Sequence, residues 1–214
     1  MAKEKCKKCD HEYDNLKCDM VRAAGVCEKK NNERGYFDAN IWRHSASRLP
    51  WLIFLVFAAL LAGLLVSYYE ASFLKMPILV AFIPMLMGIA GAAGSQTSTV
   101  IIRSLAIGEL TTRQYLRATW KELLISIICG GAIALVGFTY IIATERLHWE
   151  LGLVLGLGLF VTIMAAKLLG IFLPIIAKKC KVDPALISSP LVTIIADIIG
   201  IFAYFSFAQW ILGL

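Results

Sequence analysis

Asp197 stands in the stretch LVTIIADIIGIFAYF, with only apolar or small neighbours for several residues on either side. A carboxylate in such surroundings is costly to keep in a bilayer, and intramembrane acids mark ion paths, proton relays or buried ion pairs. At helical spacing, Thr193, Asp197, Gly200 and Tyr204 fall at i, i+4, i+7 and i+11, which predicts one shared face. Oxygen chemistry of this kind suits a hard divalent cation, which takes carboxylate, carbonyl and water oxygens. One carboxylate half-neutralises such an ion. Two copies across a symmetry axis would balance it, so a homodimer is the economical arrangement. The competing reading is an internal pair with Lys167. Counting helical rise from Pro190 and Lys178, Asp197 would lie about 10 Å and Lys167 about 16 Å inside their spans.

A second set of ligand-type residues lies near the start of the chain. Cys6 and Cys9 form a C-x-x-C pair, and Cys18 and Cys27 follow within a polar stretch, residues 1–40. Four thiolates so close suit a structural tetrahedral Zn2+ site, with His11 as an alternative ligand. The second pair lacks knuckle spacing, so free thiols in a tail stay open as a reading. Cys129 and Cys180 stand alone and read as structural or incidental.

These residues need a membrane framework to position them. The 214-residue chain is 59% hydrophobic with a mean hydropathy of +0.73, and its apolar residues cluster in long blocks. Five blocks, at approximately 51–69, 77–102, 122–143, 151–177 and 190–212, satisfy the ~20-residue requirement of a spanning helix. The expectation is an all-α membrane protein with five transmembrane helices over residues 51–214. The second and fourth spans are long and should tilt or break. Pro50 and Pro190 are expected to open the first and fifth helices. Residues 41–50, with Trp42 and Arg43 leading to Arg48 and Trp51, read as an amphipathic interfacial segment. His44 and His148 read as surface residues. The polar opening stretch offers no cleavable signal peptide.

The net charge of +6 is unevenly spread, since 11 of the 21 Lys and Arg precede Pro50. Basic and near-neutral loops alternate thereafter. The positive-inside rule places the N-terminus in the cytoplasm and, after five spans, the C-terminus outside the cell. The basic excess therefore reads as topology and contact with anionic lipid, not nucleic-acid binding. Span two adds a run of small residues, Gly88 to Gly94, followed by Ser95-Gln96-Thr97-Ser98-Thr99. Small residues let helix backbones approach closely. The polar run suits a water-lined wall, because lipid would leave its groups unpaired.

Three segments carry a family resemblance: RLPWL at 48–52, FIPMLMGIAGAAGSQTSTVIIRSLAIGE at 82–109 and DPALISSPLVTIIADIIG at 183–200. Over residues 48–214 the chain resembles the MgtE family of magnesium transporters. The resemblance implies a homodimer in the plasma membrane with a magnesium-selective pore at the dimer axis. It makes Asp197 the pore acid and sets Thr193 where a backbone carbonyl adjoins it. It also makes Asp183 a regulatory magnesium ligand at the cytoplasmic mouth. Two departures stand out. Gly91-Ala92 replaces the family's usual Gly-Asn in span two, removing a polar side chain beside a hydrated ion. And the stretch before Arg48 is short and Cys-rich where members usually carry acidic and paired CBS regulatory domains, so gating is expected to be absent, weaker or different. A zinc-stapled tail capping the pore is one arrangement that would fit.

Rival chemistries have less to stand on. Asp197 has no catalytic companion in sequence and HExxH is absent, which argues against an intramembrane enzyme. No nucleotide-binding motif suggests ATP-driven pumping. A proton-coupled divalent cation exporter, relaying protons through Asp197 and Lys167, is the alternative transport reading.

Overall fold

The computed structural model describes residues 41–108, 114–144, 149–180 and 184–213, without the side chains of residues 43, 44, 47, 71, 73 and 185–188. The cysteine-rich tail, Asp183 and His148 lie outside the described residues, as does the side chain of His44. The described chain is all-helical: α1 (Ile41–Tyr68), α2 (Glu70–Lys75), α3 (Ile78–Ala81), α4 (Ile83–Ala106), α5 (Gln114–Thr144), α6 (Trp149–Lys179) and α7 (Pro184–Leu212). Five segments are long and apolar enough to cross a membrane: 48–68, 78–106, 114–144, 149–179 and 189–212.

The expected spans are all present, but their ends differ in instructive ways. Pro50 and Pro190 do not open helices. Both sit inside them, because α1 already runs from Ile41 among the described residues and α7 starts at Pro184. An internal proline removes one backbone hydrogen bond and is tolerated in membrane helices where neighbours accommodate the freed carbonyl. Residues 41–50 are thus helical and continue without interruption into the first span, with Ile41 and Trp42 highly exposed. The third span begins at Gln114, well before the apolar block at 122, since Tyr115 to Lys121 extend the helix beyond its hydrophobic stretch.

Span two does break. α3 ends at Ala81, Phe82 caps both helices, and Pro84 occupies the first turn of α4, where its missing N–H costs nothing. Leu79 there gains an added donor, the buried Tyr204 hydroxyl from α7, at 3.2 Å. Span four stays whole: α6 runs 31 residues through Pro174. At the helical rise it is about 46 Å long, more than the hydrocarbon thickness, so it tilts or projects.

α6 is the hub, packed against α4, α5 and α7. Glycines make that possible. A Cβ on Gly156 would press on the Ala134 carbonyl of α5, and one on Gly170 would meet the Gly94 carbonyl of α4 at 2.7 Å. Such backbone-to-backbone approach is how helices associate in lipid, where apolar side chains gain little by leaving their solvent. The main core gathers Leu79, Leu86, Val154, Leu155, Leu159, Tyr204 and Phe205. α1 is peripheral, with α7 as its main neighbour, and it presents Leu52, Phe54, Phe57, Leu60 and Leu64 outward, as a lipid-facing helix should.

Candidate functional site

The Asp197 neighbourhood is built from α4 and α7. Ala196, its neighbour in sequence, packs with Ala90 and Ala93 of α4 and with Ile163 and Ala166 of α6, all small or apolar contacts that bring the helices together. A Cβ on Gly94 would collide with Val192, and one on Gly91 would come within 3.2 Å of Thr193 Cγ2. Small residues on α4 therefore let α7 lie against it along the half that carries the acid. At the far end of this seam Ser95 Oγ and Ser189 Oγ are 3.2 Å apart, and Thr193 donates to the Ser189 carbonyl at 3.1 Å.

Within this seam Asp197 is 8% exposed and its Oδ1 has no hydrogen-bond partner among the described residues. Leaving a buried carboxylate oxygen unpaired is expensive. The predicted face of Thr193, Asp197, Gly200 and Tyr204 exists, but it is a packed one. Gly200 abuts Thr162 and Tyr204 abuts Gly158, both on α6, while Thr193 meets Gly91 of α4 and the Tyr204 hydroxyl reaches Leu79 at the start of span two.

Beside the seam, α4 keeps an uncovered stripe. Gly88, Ala92, Gln96 and Thr99 are exposed and follow helical spacing, while Gly91 is half-buried at its edge. A Cβ on Gly88 would meet nothing within 4 Å. The polar run expected to form one water-lined wall is therefore divided. Gln96 and Thr99 face outward, Ser95 turns to α7, and Thr97 and Ser98 are buried against the hub.

The internal pair between Lys167 and Asp197 does not form. Lys167, 6% exposed, instead places its Nζ 3.7 Å from Glu122 Oε2 of α5. Thr97 of α4 stands between them. Its hydroxyl donates to Glu122 Oε2 at 3.3 Å and accepts from Lys167 Nζ at 3.5 Å. Glu122 is masked in the sequence because the apolar block of span three begins there. In the fold it lies about 12 Å along α5 from Gln114, close to the depth expected for Lys167, and matching depths was the signal that could have found it. Among the described residues no three His, Cys, Asp or Glu side chains gather.

The MgtE family model, described as a divalent cation transporter, matches residues 83–207, which hold the seam, the stripe and the Lys167 cluster. The chain is 35% identical over 80% of its length to the magnesium transporter MgtE of Bacillus subtilis, of which it covers 38%. It is 30% identical to the magnesium transporters MgtE of Enterococcus faecalis, over 92% of this chain and 42% of that protein, and of Thermus thermophilus, over 78% and 36%. It therefore spans about two-fifths of the length of these curated relatives.

Proposed function

Because the chain belongs to the MgtE family of divalent cation transporters, we propose that it carries hydrated magnesium into the cytoplasm through a pore on the two-fold axis of a homodimer. The observation that carries this reading is the buried Asp197 oxygen, without a partner among the described residues, beside the Gly91–Thr193 contact and an uncovered stripe of small and polar residues. A second copy facing that stripe would supply the second carboxylate that a 2+ ion requires and would line the path with Ala92, Gln96 and Thr99. Relatives described as magnesium transporters suggest the ion.

Magnesium is reluctant to shed its waters and holds them in a near-ideal octahedron. Passage as the hydrated ion avoids that cost, with Asp197 and backbone carbonyls accepting hydrogen bonds from metal-bound water. Ala92 contributes no such acceptor, so this path relies more heavily on Asp197. An inside-negative potential drives a doubly charged ion inward by about 4.6 kcal/mol per 100 mV. In this reading the N-terminus is cytoplasmic and the C-terminus extracellular. Asp183 then lies at the cytoplasmic mouth as a regulatory magnesium ligand, and Cys6, Cys9, Cys18 and Cys27 hold a zinc ion in the tail.

The test is magnesium flux into liposomes bearing the purified protein, with and without an inside-negative potential. Uptake that follows the potential and ignores an imposed pH gradient is expected. Uptake that requires a pH gradient would replace the channel with a proton-coupled exchanger. Deleting residues 1–40 should change flux or dimer stability, and no change in either would remove the tail from the mechanism.

A further inference from the structure

The Lys167–Glu122–Thr97 cluster joins spans two, three and four, yet has no part in the ion path just described. A buried ion pair is a weak source of stability, since apolar replacements of similar volume often serve as well. Its placement says more. Thr97, which touches both charges, belongs to the same run as Ser95, whose hydroxyl meets Ser189 of α7. The carbonyl of Ala166, the residue before Lys167, lies 3.2 Å from where a Gly94 Cβ would be, and Gly94 is the close-approach point to Val192 of α7. By helical rise Thr97 lies about 9 Å along α4 from Gly91. The pair is thus one helix removed from the seam, across packed protein of low dielectric, where screening is weak.

We propose that Lys167 and Glu122 are positioning residues for transport that set the electrostatic potential of the ion path. Lys167 disfavours a divalent cation beside Thr193 and Asp197, Glu122 favours it, and the pair cancels to leave a site that binds and releases quickly. Through Thr97 the pair also fixes the rotation of α4, keeping Gln96 and Thr99 on its uncovered side. This rests on the pore reading, but the two can fail separately.

The experiment is magnesium influx into liposomes as a function of magnesium concentration. Wild-type flux that Asp197→Ala abolishes supports the pore reading, whereas absence of wild-type flux sinks both. Glu122→Gln strands the ammonium and should raise the half-saturating concentration about threefold or more, while Lys167→Met strands the carboxylate and should lower it by a similar factor. The double variant Glu122→Gln/Lys167→Met should return within about twofold of wild type. A purely structural staple would shift both single variants the same way or change only the maximal rate, and either result overturns the proposal while leaving the pore intact. If Glu122→Gln does not yield folded protein, the lysine decides alone. Lys167→Arg should hold the wild-type value and Lys167→Met should lower it, and an unchanged or raised value for Lys167→Met overturns the proposal.

Discussion

Two carboxylates are drawn into the bundle, and they are treated in opposite ways. Glu122 meets a lysine and a threonine from two other spans. Asp197, more deeply buried, has one oxygen facing nothing that donates. A bilayer penalises both acids. The difference is therefore one of purpose. Glu122 is balanced within one chain, so its charge is internal and constant. Asp197 is left unbalanced among the described residues at a seam of small residues, which is why the proposed pore assigns its partner to an ion or a second subunit.

The comparison breaks most decisively at Asp197. Asp197→Ala should reduce magnesium uptake to the level of empty liposomes without lowering thermal stability, because no internal partner is lost. Asp197→Asn, which forfeits a charge-assisted hydrogen bond of about 1.5–3 kcal/mol, should weaken apparent affinity by roughly ten- to a hundredfold. A large drop in melting temperature in Asp197→Ala would mean the acid has an internal partner after all. At the balanced acid the pattern inverts. Glu122→Gln should cost stability, by about 3–5 kcal/mol if the stranded lysine stays buried, and Glu122→Gln/Lys167→Met should recover most of it. Thermal unfolding in detergent reads both. Next comes the seam: Gly94→Ala forces a methyl into Val192 and should cost about 1–3 kcal/mol, with Val192→Ala as a second change restoring the fit. The smallest effect is expected at Tyr204→Phe, about 1 kcal/mol, from loss of the hydroxyl donated to Leu79 at the break in span two.

Asp197 was legible from sequence because its signal is local: an acid in an apolar run announces itself. The five spans were legible for the same reason, since apolar length is a one-dimensional property. What sequence could not supply was pairing between segments. Lys167 had two acids within plausible reach, and Glu122 was hidden by an apolar block that starts after the helix does. The prolines misled in the same manner. Pro50 and Pro190 mark a change in composition, but helices form from backbone hydrogen bonds that continue through it. Pro84 did mark a break, because the chain there also departs from the helix at Phe82 and a hydroxyl from another span serves the carbonyl of Leu79. The polar run at 95–99 was real, but its division among three surfaces depends on the rotation of α4, which its packing against α6 and α7 decides.

That α6 is the hub has a consequence for how the protein is made. The helix that brings Lys167 to Thr97 and Glu122 is the fourth span in chain order, and Lys167 follows Glu122 by 45 residues. At ribosomal speeds of about 5–20 residues per second, Glu122 is synthesised roughly 2–9 seconds before its counter-charge. During that interval Glu122 has no Lys167 to meet it, and an acid in hydrocarbon is neutralised by holding a proton instead. The ion pair of this membrane domain therefore closes only when the fourth span arrives, which makes Glu122 an acid satisfied late in biogenesis.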